Sequence, residues 1–155
     1  MRFNGPVAEI RRTRTVAAEP QAVWDVLADF GAISEWADNV DHSCLLEHGA
    51  DGLQVGTSRR VQVGRETLVE RISHLDPPIA LGYGIEGLPR RLTVGNRWLI
   101  APATAGYTAV TVVTTVNLGT NPLATLAERG VCRFLAKQSD LLLGGLARRV
   151  ESHRD

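Results

Sequence analysis

Residues Val16–Val40 read VAAEPQAVWDVLADFGAISEWADNV, and the break at Phe30-Gly31 in the middle of this stretch decides how the chain folds. Before the break, Val23, Trp24, Leu27 and Phe30 recur at three- and four-residue spacing, the single apolar stripe of an amphipathic helix. Pro20 suits the first turn, where its missing N–H forfeits no hydrogen bond. Gly31 is the expected C-terminal stop. A second short helix is expected over 32–40, with Ile33, Trp36 and Ala37 sharing a face. Two short helices joined at a turn cannot cover both of their apolar faces with each other. They suit a lid that seals the end of something larger.

Working outward, the segment 8–16 alternates apolar and polar residues and predicts a strand. Six strand-like runs follow the helices, over 41–49, 55–64, 66–75, 76–86, 91–101 and 106–118. The glycine-rich HGADGLQVG (48–56) signals a hairpin, Gly64-Arg65 a tight turn, and Asp76-Pro77-Pro78 a break. The last run, GYTAVTVVTTVNL, is dense in the β-branched residues that strands favour. From Asn121 the period changes again. Asn121 can cap a helix and Pro122 can take its first position. Leu126, Val131, Phe134, Leu135, Leu142 and Leu146 then contribute to a wide apolar face. The predicted order is strand, two short helices, six strands, long helix.

Composition bounds the function. The 155 residues are 44% hydrophobic and 22% charged, enough for one core in one domain spanning 1–155. Seventeen cations balance 17 acids, so no global charge points to nucleic acid or an acidic membrane surface. No apolar run reaches the roughly 18 residues of a membrane span, and no signal-peptide core opens the chain. Cys44 and Cys132 lie far apart with no CxxC, which suits a reducing compartment, and a cytoplasmic location is expected. His42, His48, His74 and His153 lack metal-ligand spacing, so neither metal nor cofactor is expected.

Strand parity assigns faces. Val110, Val112, Thr114 and Val116 share a face expected to point inward, and so do Leu92, Val94, Asn96, Trp98 and Ile100. Two further sets, Val55-Thr57-Arg59-Val61-Val63 and Leu68-Glu70-Ile72, each carry a charge at the centre. The Gly64-Arg65 turn sets a register that places Arg59 directly opposite Glu70. Such a pair either orients a polar group of a bound ligand or is an ordinary cross-strand ion pair. Tyr83 and Tyr107, placed near strand ends, are expected to be structural.

The element order resembles the helix-grip fold of the START-like (SRPBCC) superfamily, with its birch-pollen-allergen-like and polyketide cyclase/dehydrase-like members. The resemblance rests on VAAEPQAVWDVLADFGAISEWADNV, VGTSRRV (55–61), LVERISHLDPP (68–78) and NPLATLAERGVCRFLAKQSDLLLGGLA (121–147), in that order. It implies an α+β fold in which a curved antiparallel seven-stranded sheet wraps the long C-terminal helix, with the two short helices plugging one end.

The resemblance also implies a hydrophobic small-molecule ligand, lipid-like or polycyclic, held by a monomer or homodimer. Trp36, Arg59, Glu70, Asn96, Trp98, Val112, Thr114 and Phe134 are its expected contacts, around a cavity between Trp36, Trp98, Val112 and Phe134. Gly130, Gly144 and Gly145 add to that expectation, since helical glycine costs about 1 kcal/mol and asks for close packing or empty space. An aromatase/cyclase-type enzyme using Glu70 as base, with Arg59 holding substrate oxygens, is the second possibility. A non-catalytic regulatory or toxin–antitoxin-type component is the third.

Overall fold

A computed structural model describes residues 7–88, 92–117 and 124–152. Seven strands form one antiparallel sheet: β1 (Val7–Val16), β2 (His42–Leu45), β3 (Ser58–Val63), β4 (Glu66–Asp76), β5 (Ala80–Glu86), β6 (Thr93–Pro102) and β7 (Thr108–Asn117). Their spatial order is β1-β7-β6-β5-β4-β3-β2. Every neighbour after β2 is joined by a hairpin, and only β1 crosses over to lie against β7. The helices are α1 (Pro20–Ala28), a 3-10 helix (Phe30–Glu35) and α2 (Ala124–Glu151). This is the α+β helix-grip architecture expected from the element order. Asn121 and Pro122, the expected cap and first residue of α2, lie outside the described residues.

Both sheet edges are defended against pairing with another chain. β1 carries Arg11, Arg12 and Arg14 at its exposed edge, and β2 is only four residues long. α2 packs on β1, β7 and α1, while the 3-10 helix packs on β2 and β3. The core lies between these layers, centred on Val16, Val23, Phe30, Ile72, Leu81, Trp98, Val110, Val112 and Leu146.

Gly31 behaves differently from expectation, and Gly145 takes the close-packing alternative, each for a steric reason. α1 ends at Asp29, and Gly31 lies inside the 3-10 helix instead of terminating α1. A Cβ on Gly31 would sit 2.8 Å from Leu45 Cγ and 3.1 Å from Leu45 N, so the glycine lets the lid lie directly on β2. Gly145 does the same on the other side, because its Cβ would fall 2.1 Å from the Trp36 carbonyl oxygen. The lid is thus clamped between strand and helix, at two points where only hydrogen fits. Gly130 and Gly144 have no such neighbour.

Strand limits also shift. β3 begins at Ser58, so Val55 is off the ladder and 64% exposed, not on the inner face with Arg59.

Candidate functional site

Arg59 and Glu70 are paired across β3 and β4, as the turn register predicts. Val61↔Leu68 lies beside them on the same inner face, and Ile85 of β5 lies opposite Glu70. The Arg59 guanidinium donates to Glu70 Oε1 through Nε at 2.8 Å and approaches the same oxygen through Nη2 at 2.7 Å. The side chains are only 3% and 9% exposed, so this is a desolvated pair and not a surface ion pair. Nη1 donates to the Phe30 carbonyl at 2.8 Å. The guanidinium carbon also sits 3.8 Å from the Phe30 ring centroid and 4.7 Å from that of Tyr83. Burying a cation is costly unless carboxylate, carbonyl and π-faces surround it, and Arg59 has all three. The break between α1 and the 3-10 helix supplies two of these partners, the carbonyl and ring of Phe30.

Tyr83, whose ring faces the Arg59 guanidinium, begins a chain of hydrogen bonds across the inner face. Tyr83 packs its ring edge-on to Phe30 at 5.7 Å. Its hydroxyl accepts from Trp98 Nε1 at 3.2 Å and from Asn96 Nδ2 at 3.4 Å. Thr114 donates to Asn96 Oδ1 at 2.7 Å, and its oxygen lies 3.3 Å from Ser139 Oγ on α2. Thr114 has one hydroxyl proton, so Ser139 is the donor in the last link. Burial pushes the Tyr83 phenol above its ordinary value, and the Glu70 charge pushes it further; Arg59 and the two donors act the other way.

The expected site residues divide into two groups. Asn96 and Thr114 join the polar chain and Arg59 and Glu70 form the buried pair beside it, with Asn96 only half-buried. Trp36, Trp98 and Val112 need correction. Trp36 meets Trp98 edge-to-face at 5.9 Å, and Trp98 and Val112 are 1% and 0% exposed. These three side chains fill the space expected to be open, because the clamp at Gly145 draws the lid onto the core. Phe134 is corrected in the opposite sense: it is 58% exposed and turned away from the packed interior. Tyr83 and Ser139 were missed. The alternation Leu81-Tyr83-Ile85 carried the signal for Tyr83, since it is the apolar parity of β5. No sequence pattern marked Ser139.

Burial along α2 changes halfway. Between Gly130 and Gln138 no residue is fully buried, whereas Ser139, Leu142, Leu143, Leu146, Ala147 and Val150 are. Across the interior, Val63, Leu68, Ile85 and Asn96 of the inner sheet face are likewise only half-buried. Among the described residues no group of three or more His, Cys, Asp or Glu side chains could hold a metal ion, and no helix is long and apolar enough to cross a membrane.

Solved structures share this fold at low sequence identity. A START superfamily protein from Mycobacterium smegmatis superposes with a TM-score of 0.74 at 17% identity, covering 94% of this chain and 98% of that one. The di-domain ARO/CYC protein StfQ of the steffimycin biosynthetic pathway gives 0.77 at 16% identity, over 95% of this chain and 52% of its own. The di-domain ARO/CYC protein BexL of the BE-7585A pathway gives 0.77 at 19%, over 94% and 50%. The chain therefore spans about half of each di-domain protein. No functionally curated protein matches it in sequence. A family model described as polyketide cyclase/dehydrase and lipid transport matches residues 7–151, nearly the whole chain, and with the seven-stranded sheet gripping α2 it identifies the chain as a member of that START-like family.

Proposed function

We propose that the domain binds a hydrophobic small molecule, lipid-like or polycyclic, between the inner face of the sheet and the N-terminal half of α2. The observation that carries this is partial burial on both sides: on the inner sheet face and along the N-terminal half of α2. Val63, Leu68 and Ile85 on the sheet and Val131, Cys132, Leu135 and Ala136 on α2 are neither packed to completion nor turned fully to water. Ligand sites combine such apolar walls with a few polar groups that fix orientation. The Arg59–Glu70 pair and Asn96 supply those groups, and they favour a ligand bearing a carbonyl or hydroxyl oxygen. Both of these Arg59 contacts go to Glu70 Oε1.

Arg59 is already held by a carboxylate, a carbonyl and two rings, which suits an anchor better than a group that must move protons. Native extraction with mass spectrometry, followed by a tryptophan-fluorescence titration with alizarin and with palmitate, tests the proposal. Saturable binding of at least one probe, weakened tenfold or more in a folded Arg59→Met/Glu70→Leu variant, is expected; a tenfold loss corresponds to about 1.4 kcal/mol. No saturable binding and no co-purified molecule would overturn it.

A further inference from the structure

We propose that the outer face of the sheet carries a second small-molecule site, which takes an organic anion: a carboxylate or phosphate ester on a flat apolar body. A trough of about 420 Å³ lies there, on the side of the sheet away from α2. Its size falls within the range of about 300–1,000 Å³ typical of ligand pockets.

Glycines make the trough. Gly82 and Gly95 line it, Gly84 lies directly opposite Gly95, and Gly82 lies opposite Arg97. Glycine weakens a strand, and inside a sheet it often marks close approach by a ligand or another backbone. Neither crowding nor backbone conformation requires it at two of these positions. A Cβ on Gly84 would meet nothing within 4 Å, and one on Gly95 would find its nearest neighbour, the Tyr83 carbonyl oxygen, at 3.4 Å. None of the three has a positive φ. Gly84 and Gly95, opposite each other on adjacent strands, therefore present bare peptide planes, a flat surface on which a ring can lie, while the His74 and Arg97 side chains lie over Gly82 and Leu99 and Val113 also line the trough.

Polar groups converge on the same place. The β4–β5 register slips between Ile72 and His74, leaving Ser73 as the extra residue, and Ser73 lines the trough. Bulges of this kind re-aim a side chain and cluster near functional sites. Arg97 is exposed on the lining and, among the described residues, has no ion-pair partner. Arg11, across Val113, faces a single carboxylate, Glu9, at 3.6 Å. Two cations against one acid leave the lining positive, which selects an anion.

Backbone amide NMR tests this independently of the inner site, with 2-naphthoate, 2-naphthyl phosphate and neutral 2-naphthalenemethanol as probes. Saturable shifts at Gly82, Gly84 and Gly95 are expected with one or both anions, and a response to one alone identifies the preferred head group. Arg97→Gln, an exposed change that keeps the fold, is expected to weaken binding about tenfold or more, and added salt to weaken it in the wild type. Absence of saturable shifts at these glycines, equal shifts with the neutral alcohol, or unchanged affinity in Arg97→Gln would overturn the proposal.

Discussion

Glu70→Ala is expected to destabilise the protein more than the simultaneous replacement of Glu70 and Arg59 by apolar residues. The single change leaves the guanidinium buried, with Arg59 only 3% exposed. The Phe30 carbonyl and the rings of Phe30 and Tyr83 remain around it. Those partners offset part of the loss, so the cost should fall near the lower end of about 3–5 kcal/mol for breaking a buried pair. Arg59→Met/Glu70→Leu removes both charges and keeps much of the volume. Its residual cost is the Phe30 carbonyl left without its donor, about 1–3 kcal/mol. Urea unfolding reads both effects. With a slope of about 2 kcal/mol per molar, the Glu70→Ala midpoint should fall by about 1.5 M and that of the double variant by about half as much. A Glu70→Ala shift below about 1 kcal/mol, the size expected of an exposed pair, would refute the view that this pair is desolvated.

Gly145→Ala should lower stability by about 1–3 kcal/mol or more, because its Cβ would meet the Trp36 carbonyl oxygen at 2.1 Å; Gly130→Ala, with nothing nearby, should raise it by up to about 1 kcal/mol. Thermal melts of the two variants should move in opposite directions. The raised Tyr83 phenol gives a pH dependence: its stability contribution is fully present below the unfolded value near 10 and is lost as pH climbs toward the higher folded value. Unfolding free energy should therefore fall more steeply above pH 10 in the wild type than in Tyr83→Phe, and an equal slope would contradict the assignment. Asp38→Asn, which breaks the ion pair between Arg148 and Asp38, should change stability by less than about 1 kcal/mol in urea, since both side chains are more than half exposed.

Much of the sheet was legible because period-two alternation and turn chemistry act locally. The Gly64-Arg65 turn alone fixed the Arg59–Glu70 register, and parity placed Val110, Val112, Thr114 and Val116 on the inner face, where all four are buried. What escaped depends on contacts distant in sequence. Gly31 looked like a helix terminator because its reason for being glycine, Leu45, lies in another element. Trp36 and Trp98 looked like cavity walls because nothing in their local sequence shows that Gly145 brings the lid onto them. Phe134 falls on the apolar stripe of α2, yet it is 58% exposed, and no residue from Gly130 to Gln138 is fully buried. Tyr83 seemed to sit at a strand end, whereas β5 runs from Ala80 to Glu86 and places it at the centre.

Methyl NMR on selectively labelled protein tests the central claim most directly. Titration with alizarin or palmitate should shift the methyls of Val63, Leu68 and Ile85 on the sheet together with Val131 and Leu135 on α2, along one saturable curve. The methyls of Val110, Leu142 and Leu146, in the packed half, should barely move. Shifts absent from the first group, or spread evenly over both, would contradict a ligand site between the sheet and the N-terminal half of α2.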